Sequence, residues 1–174
     1  MEKVHEKARG IRLMIFDVDG VLTDGRLYYT DAGQEIKAFS TLDGHGIRML
    51  MASGVDTAIL TGRRSEVVTH RARNLGIAHV LQGVEDKRSA FIELSASLKL
   101  DADMCGYMGD DVVDLPVMIR CGFAATTGDA PDVVKRHADF IALRPAGLGA
   151  VRDVCEILMA AQGTLDAALA PYLA

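Results

Sequence analysis

Ile11-Arg12-Leu13-Met14-Ile15-Phe16 runs directly into Asp17-Val18-Asp19-Gly20-Val21-Leu22-Thr23-Asp24-Gly25. This junction of an apolar run with an acidic, glycine-punctuated loop decides the reading of the fold. A short run of this kind suits a strand buried on both faces. If extended backbone continues through Asp17 and Asp19, both carboxylates point the same way, because side chains alternate along a strand. Converging carboxylates repel and need a cation or a shared proton, and Gly20 permits a sharp turn close to a ligand. Taken alone, the segment equally suits a strand-terminal turn with solvated aspartates.

Working outward, further apolar runs read as strands: Ala58-Ile59-Leu60, Ala78 to Leu81, Met104 to Met108, Gly122 to Ala125 and Phe140-Ile141-Ala142. Helical patterns lie between them, over 44–52, 66–75, 87–98, 112–120 and 149–161. This alternation predicts an α/β fold, a Rossmann-like three-layer sandwich with a mostly parallel sheet. Such sheets bind ligands at the carboxyl ends of their strands. One stretch departs from the alternation: the segments around Asp31-Ala32-Gly33-Gln34 read as a β-hairpin over about residues 25–39. Residues 163–174 read as a helical or frayed tail. With no repeat and no linker, the 174 residues are expected to form a single domain.

Composition narrows the function. Hydrophobic residues make up 49% of the chain, enough for a sizeable core. No apolar run approaches the roughly 20 residues that span a bilayer, so no membrane partner is expected. The net charge of -5 and the lack of a basic tract beyond Arg63-Arg64 argue against nucleic-acid binding. Met1 to Gly10 lacks the apolar core of a secretory signal. Cys105, Cys121 and Cys155 are widely spaced and unpaired in pattern, as expected of reduced thiols in a cytoplasmic protein.

Three more places carry chemistry. Thr61-Gly62-Arg63 closes a second apolar strand with a hydroxyl, a backbone N–H and a guanidinium, a set that suits a phosphoryl group. Thr61 alone would also suit a helix N-cap. Lys87 opens a helix, where the dipole disfavours a cation, so a charged partner is expected there. Gly109-Asp110-Asp111-Val112-Val113-Asp114 ends another strand with three acids, and hard oxygen ligands favour Mg²⁺. Charge counting independently calls for a divalent cation. Asp17, Asp19, Asp110 and Asp111 face only Lys87 and Arg63, and like charges about 4 Å apart repel by roughly 4 kcal/mol per pair at an effective dielectric of 20.

The ordered set resembles the haloacid dehalogenase superfamily. Its D-x-D-G motif falls on Asp17 to Gly20, its second-motif hydroxyl on Thr61, its lysine on Lys87 and its acids on Asp110, Asp111 and Asp114. The resemblance implies Asp17 as nucleophile and Asp19 as general acid and base, with Thr61, Gly62, Arg63 and Lys87 on the phosphoryl group. It further implies Mg²⁺ on Asp17, Asp19 (through its main-chain carbonyl) and Asp110, with Asp111 and Asp114 behind them. Asp19 marks a phosphatase rather than a dehalogenase. The motif gaps hold no cap domain.

The stretches FDVDGVLTDGRLYY (16–29), FSTLDGHGIRML (39–50), ILTGRRSEVVTHRARNLGI (59–77), QGVEDKRSAF (82–91), MGDDVVDLPVM (108–118) and GAVRDVCEILMAAQG (149–163) are more narrowly similar to 3-deoxy-D-manno-octulosonate 8-phosphate phosphatases of lipopolysaccharide synthesis. That family implies a sugar-acid phosphate as substrate, a homotetramer built on the hairpin, and a tail that reaches a neighbour. Arg63 matches its arginine, where phosphatases of nine-carbon sugar acids carry an acid. Pro145-Ala146-Gly147-Leu148-Gly149 departs from a Gly-Gly-Arg-Gly pattern, which leaves a nine-carbon or broad specificity as the alternative; Arg144 lies nearby. His45 is a candidate for the site mouth or an ordinary helix-start residue. A receiver domain would order its aspartates differently, and a non-catalytic assembly domain would not need the full set.

Overall fold

The computed structural model describes residues 1–173; Ala174, the end of the predicted tail, lies outside the described residues. In chain order the elements are α1 (Glu2–Arg9), β1 (Leu13–Phe16), β2 (Tyr28–Tyr29), β3 (Glu35–Ile36), α2 (Thr41–Ala52), β4 (Asp56–Thr61), α3 (Glu66–Leu75) and β5 (His79–Gln82). There follow α4 (Lys87–Ser97), β6 (Cys105–Met108), α5 (Leu115–Met118), β7 (Phe123–Thr126), α6 (Asp132–Lys135), β8 (Phe140–Ile141), α7 (Ala150–Ala161) and α8 (Leu165–Leu173).

Six strands form one parallel sheet in the order β5-β4-β1-β6-β7-β8. The chain builds outward from β1 in both directions, so the crevice at a switch of strand order opens at the carboxyl end of β1. All four residues of β1 are buried. Met14 and Phe16 enter the core layer shared with α2, α3 and α7, whereas Leu13 and Ile15 enter the layer shared with α4, α5 and α6. Burying each such side chain contributes roughly 1.5–3 kcal/mol, which fixes β1 and therefore the loop that leaves it.

Local chemistry explains where the elements differ from expectation. The second helix starts at Thr41 rather than Gly44 because Ser40 caps it, its Oγ accepting the Asp43 N–H at 3.3 Å. Asp43 in turn accepts N–H bonds from Gly149 at 3.2 Å and Arg152 at 2.9 Å, so a residue of α2 caps the first turn of α7. The continuous helix expected over 112–120 is replaced by a 3-10 turn at Val112–Asp114 and the four-residue α5. Pro116 lacks an N–H, and Asp114 turns its side chain back onto the loop, so neither supports one regular helix.

The charged N-terminus forms α1, whose Glu2 and Lys7/Arg9 complement the helix dipole at its two ends. The hairpin is present, with Tyr29 opposite Glu35, but each strand is only two residues long and stands apart from the main sheet. Tyr29 and Ile36 are each 54% exposed. The gap between Asp17 and Thr61 holds this hairpin and α2, and the gap between Thr61 and Lys87 holds α3 and β5, so neither contains a cap.

Candidate active site

Strand ends bring the acids together. Phe16 of β1 is in register with Met108 of β6, and the Asp17 N–H donates to the Met108 carbonyl at 3.0 Å. Asp17 and Asp110 therefore leave neighbouring strands side by side. Gly20 allows the approach: its φ is +89°, and a Cβ there would lie 2.1 Å from Asp110 Oδ2. A Cβ on Gly109 would collide with Asp114 at 2.3 Å.

Lys87 finds the partners its helix-start position requires. Its Nζ lies 2.9 Å from Asp17 Oδ2 and 2.7 Å from Asp114 Oδ1, with all three side chains buried. The Tyr107 hydroxyl donates to Asp114 Oδ1 at 2.6 Å, and Asp114 Oδ2 accepts the N–H groups of Asp110 at 3.0 Å and Asp111 at 3.1 Å. Burial alone would lower the Lys87 pKa, but Asp17 and Asp114 carry it above its ordinary value. Burial and the facing acids push the Tyr107 hydroxyl far up, so it stays a neutral donor.

Oxygens of Asp17, Asp110 and Asp114 lie within 4.8 Å of one another. Asp114 already satisfies four donors, which leaves Asp17 and Asp110 as the free ligands. Among the described residues Asp17 Oδ1 and Asp110 Oδ1 are buried without a hydrogen-bond partner, and an unpaired buried carboxylate oxygen is costly. Burial raises the Asp17 pKa to about 6 despite Lys87. Burial, then Asp114 and Asp17, raise Asp110 to about 8. Two orphaned oxygen ligands whose ionisation is resisted by burial and by the neighbouring acids fit a hard divalent cation.

Asp17, Asp19, Thr61, Gly62, Arg63, Lys87, Asp110 and Asp111 line one cavity of about 590 Å³. Of the predicted site residues only Asp114 lies outside its lining, beneath Lys87. Asp111 uses Oδ1 to cap the Val112 N–H at 2.7 Å. Arg63 is placed beside Thr61 as expected, yet its guanidinium is engaged by the hairpin, at 2.8 Å from both the Tyr29 hydroxyl and Glu35 Oε1. His45 is not at this cavity; it meets Tyr172 edge to face, with ring centroids 5.4 Å apart, in a groove between α2 and α8. Arg144 pairs with Asp153 at 3.3 Å, and Leu148 is exposed. The loop that carries Leu148 nevertheless abuts the Asp17 loop, for a Cβ on Gly147 would meet the Asp24 nitrogen at 2.6 Å.

One residue escaped the sequence reading. Lys37 Nζ bonds to Asp19 Oδ1 and lies 3.4 Å from Glu35 Oε1, with its side chain 1% exposed. The charge count around the acids therefore includes a third cation. Its only signal was its place on the hairpin's outgoing arm, with nothing in the local pattern to separate it from a solvated lysine.

Comparison with family models finds no match. A curated relative, the 3-deoxy-D-manno-octulosonate 8-phosphate phosphatase KdsC of Yersinia pestis, is 42% identical over 167 residues, which cover 96% of this chain and 89% of the relative. A solved structure from Pseudomonas syringae, described as a probable yrbI family phosphatase, superposes with a TM-score of 0.98 at 47% identity, covering 100% and 99% of the two chains. The Moraxella catarrhalis 3-deoxy-D-manno-octulosonate 8-phosphate phosphatase, solved with magnesium, phosphate and KDO, gives a TM-score of 0.97 at 40% identity over 99% of both chains. With these identities over nearly its full length, and with the strand-end acids in place, the chain belongs to the 3-deoxy-D-manno-octulosonate 8-phosphate phosphatase family of haloacid dehalogenase hydrolases.

Proposed function

We propose that this protein is a Mg²⁺-dependent phosphatase that hydrolyses 3-deoxy-D-manno-octulosonate 8-phosphate through an aspartyl-phosphate. The observation that carries the reading is the pair of orphaned oxygens on Asp17 and Asp110, set beside a lysine already bonded to Asp17. Asp17 Oδ attacks phosphorus in line, the bond from phosphorus to the sugar oxygen breaks, and Asp19 gives that oxygen a proton. Asp19 then takes a proton from the water that attacks the aspartyl-phosphate, releasing phosphate and restoring Asp17. Lys87, Thr61 and the Gly62 backbone hold the phosphoryl oxygens, where catalysis of this transfer gains most. Mg²⁺ held by Asp17, the Asp19 main-chain carbonyl and Asp110 would neutralise charge on the phosphoryl group. Asp114 fixes Lys87, and Asp111 orders the loop that carries Asp110.

Arg63 selects the eight-carbon acid by offering a guanidinium to its carboxylate or phosphate. The chain acts as a single capless domain in the cytoplasm, within lipopolysaccharide synthesis. Its exposed hairpin residues Tyr29 and Ile36 support assembly through that hairpin into a homotetramer. Among the described residues no helix is long and apolar enough to cross a membrane.

Phosphate release from a panel tests the reading. The panel holds the eight-carbon acid phosphate, nine-carbon acid phosphates, hexose phosphates and an aryl phosphate, each with Mg²⁺ or EDTA. Preference for the eight-carbon acid, lost with EDTA and in Asp17→Asn, is the expected result. Equal slow rates on all would replace it with a broad specificity, and no release from a folded, metal-loaded protein would point to an assembly role.

A further inference from the structure

Asp19 has one hydrogen-bond donor among the described residues, and that donor is Lys37. The ammonium bonds to Asp19 Oδ1, while Arg63 Nε stands 3.7 Å from Oδ2, too far for a hydrogen bond of its own. No backbone N–H of the described residues reaches the Asp19 carboxylate, in contrast with Asp114, which two backbone N–H groups hold. Lys37 is also a costly residue to keep. An ammonium with a side chain 1% exposed loses its hydration, and only close carboxylates offset that loss. Its two carboxylate partners are Asp19 and Glu35, and among the described residues it makes no other side-chain hydrogen bond or ion pair. Lys37 is absent from the lining of the site cavity, whereas Asp19 is part of it. A buried cation that touches the acid and not the cavity acts through the acid.

We infer that Lys37 is a positioning residue: it holds the Asp19 carboxylate in the orientation from which its proton reaches the leaving oxygen. Glu35 extends the arrangement, because its Oε1 lies 3.4 Å from Lys37 Nζ and 2.8 Å from the Arg63 guanidinium. The Tyr29 hydroxyl accepts from the same Arg63 nitrogen, Nη2, that bonds Glu35. The hairpin thus sets the direction of a side chain that belongs to the β1 loop. A two-strand hairpin of this length is marginal alone, so whatever orders it also orders Asp19.

The inference rests on the phosphatase reading, and its test separates the two. Proton donation matters for a sugar alkoxide and little for a dinitrophenolate, which leaves without a proton. The value of kcat/KM reports only the steps up to leaving-group departure, before Asp19 acts on water. In Lys37→Met, which keeps the buried stem without its charge, kcat/KM on 3-deoxy-D-manno-octulosonate 8-phosphate should fall about 100-fold. On dinitrophenyl phosphate it should stay within about threefold, the gap being what a general acid contributes. Lys37→Arg should recover most of the loss. An equal loss on both esters, which a merely structural role would give, overturns the inference, as does no loss on either, and so does a loss on the sugar ester carried by KM with kcat unchanged, which sugar binding through Arg63 would give.

If Lys37→Met does not fold, Lys37→Gln is read by the same ratio. A crystal structure of the folded variant supplies a readout independent of turnover. Displacement of the Asp19 carboxylate from its place between residues 37 and 63 is expected, and an unmoved carboxylate overturns the inference. A wild-type protein that hydrolyses neither ester would sink the phosphatase reading while leaving the structural comparison to judge Lys37.

Discussion

Asp114 holds Lys87 from below: the carboxylate and the ammonium are 2.7 Å apart, and no part of Asp114 reaches solvent. Because both Asp114 oxygens are taken by donors, its work is to aim Lys87 and to fold back the Asp110-Asp111 backbone. The buried carboxylate oxygens left without a hydrogen-bond partner among the described residues belong to Asp17 and Asp110.

The exchange Asp114→Asn tests that division. One carboxylate oxygen becomes an amide donor facing either an ammonium and a hydroxyl or two backbone N–H groups, and the buried charge of Lys87 loses a partner. Loss of about 3 kcal/mol in urea unfolding is expected, in the range for breaking a buried pair. Turnover should fall by at least about 100-fold, since the lysine on the phosphoryl group loses its aim.

The raised carboxylates make stability depend on pH and metal in a coupled way. Asp17 moves from 3.8 to about 6 and Asp110 from 3.8 to about 8 on folding. Through that window the folded protein holds more protons than the unfolded chain, so the metal-free protein loses stability as pH rises. Mg²⁺ needs the ionised pair, so its stabilising effect should grow with pH up to about 8. Thermal unfolding in EDTA and in Mg²⁺ across this range measures both trends. A metal-free melting temperature that rises steadily over the window would contradict them.

A methyl group at residue 20 should separate folding from metal binding. In Gly20→Ala the new Cβ meets Asp110 Oδ2 and the backbone keeps an unfavourable positive φ. The fold should survive at a cost of about 1–3 kcal/mol, in the range for a residue held at strained backbone angles. Asp110 is displaced, so the rise in melting temperature on adding Mg²⁺ should vanish along with turnover. Retention of the Mg²⁺ shift would show that Asp110 is not a ligand.

Arg63→Ala tests selection rather than chemistry. The guanidinium now bridges Tyr29 and Glu35 and stands at the cavity wall. Its loss should reduce kcat/KM for the eight-carbon acid phosphate at least about 10-fold more than for an aryl phosphate, consistent with a charge-assisted hydrogen bond. A uniform loss across substrates would assign Arg63 to the phosphate or to the hairpin alone.

Much of this was legible in the sequence because the signals were local. The apolar run before Asp17, the spacing of Asp110, Asp111 and Asp114, and the cation at the start of α4 each state a physical problem whose answer lies in the fold. Lys87 was expected to have a charged partner and has two. The misses at the site were non-local. Lys37 and Asp19 are 18 residues apart and meet only because the hairpin folds back over the β1 loop. Tyr107 read as one more apolar residue of a buried strand, and its hydroxyl gained meaning only beneath Lys87. The helix expected over 112–120 failed where a proline and a back-turned carboxylate outweighed apolar periodicity.

Phe16 at the end of β1 pairs in register with Met108 at the end of β6. Asp17 and Asp110 sit one and two residues beyond adjacent strands, so the gap between their carboxylates is inherited from the repeat distance of the sheet. Neighbouring strands keep that distance near 4.8 Å whatever side chains they carry. Much of the rest of the cavity lining comes from elsewhere, from Gly62 and Arg63 after β4 and from Val84 and Glu85 before α4. The sheet therefore acts as a ruler for the two carboxylates, independently of those loops. A change in the loops that line the rest of the cavity would leave the spacing of the two carboxylates as it is.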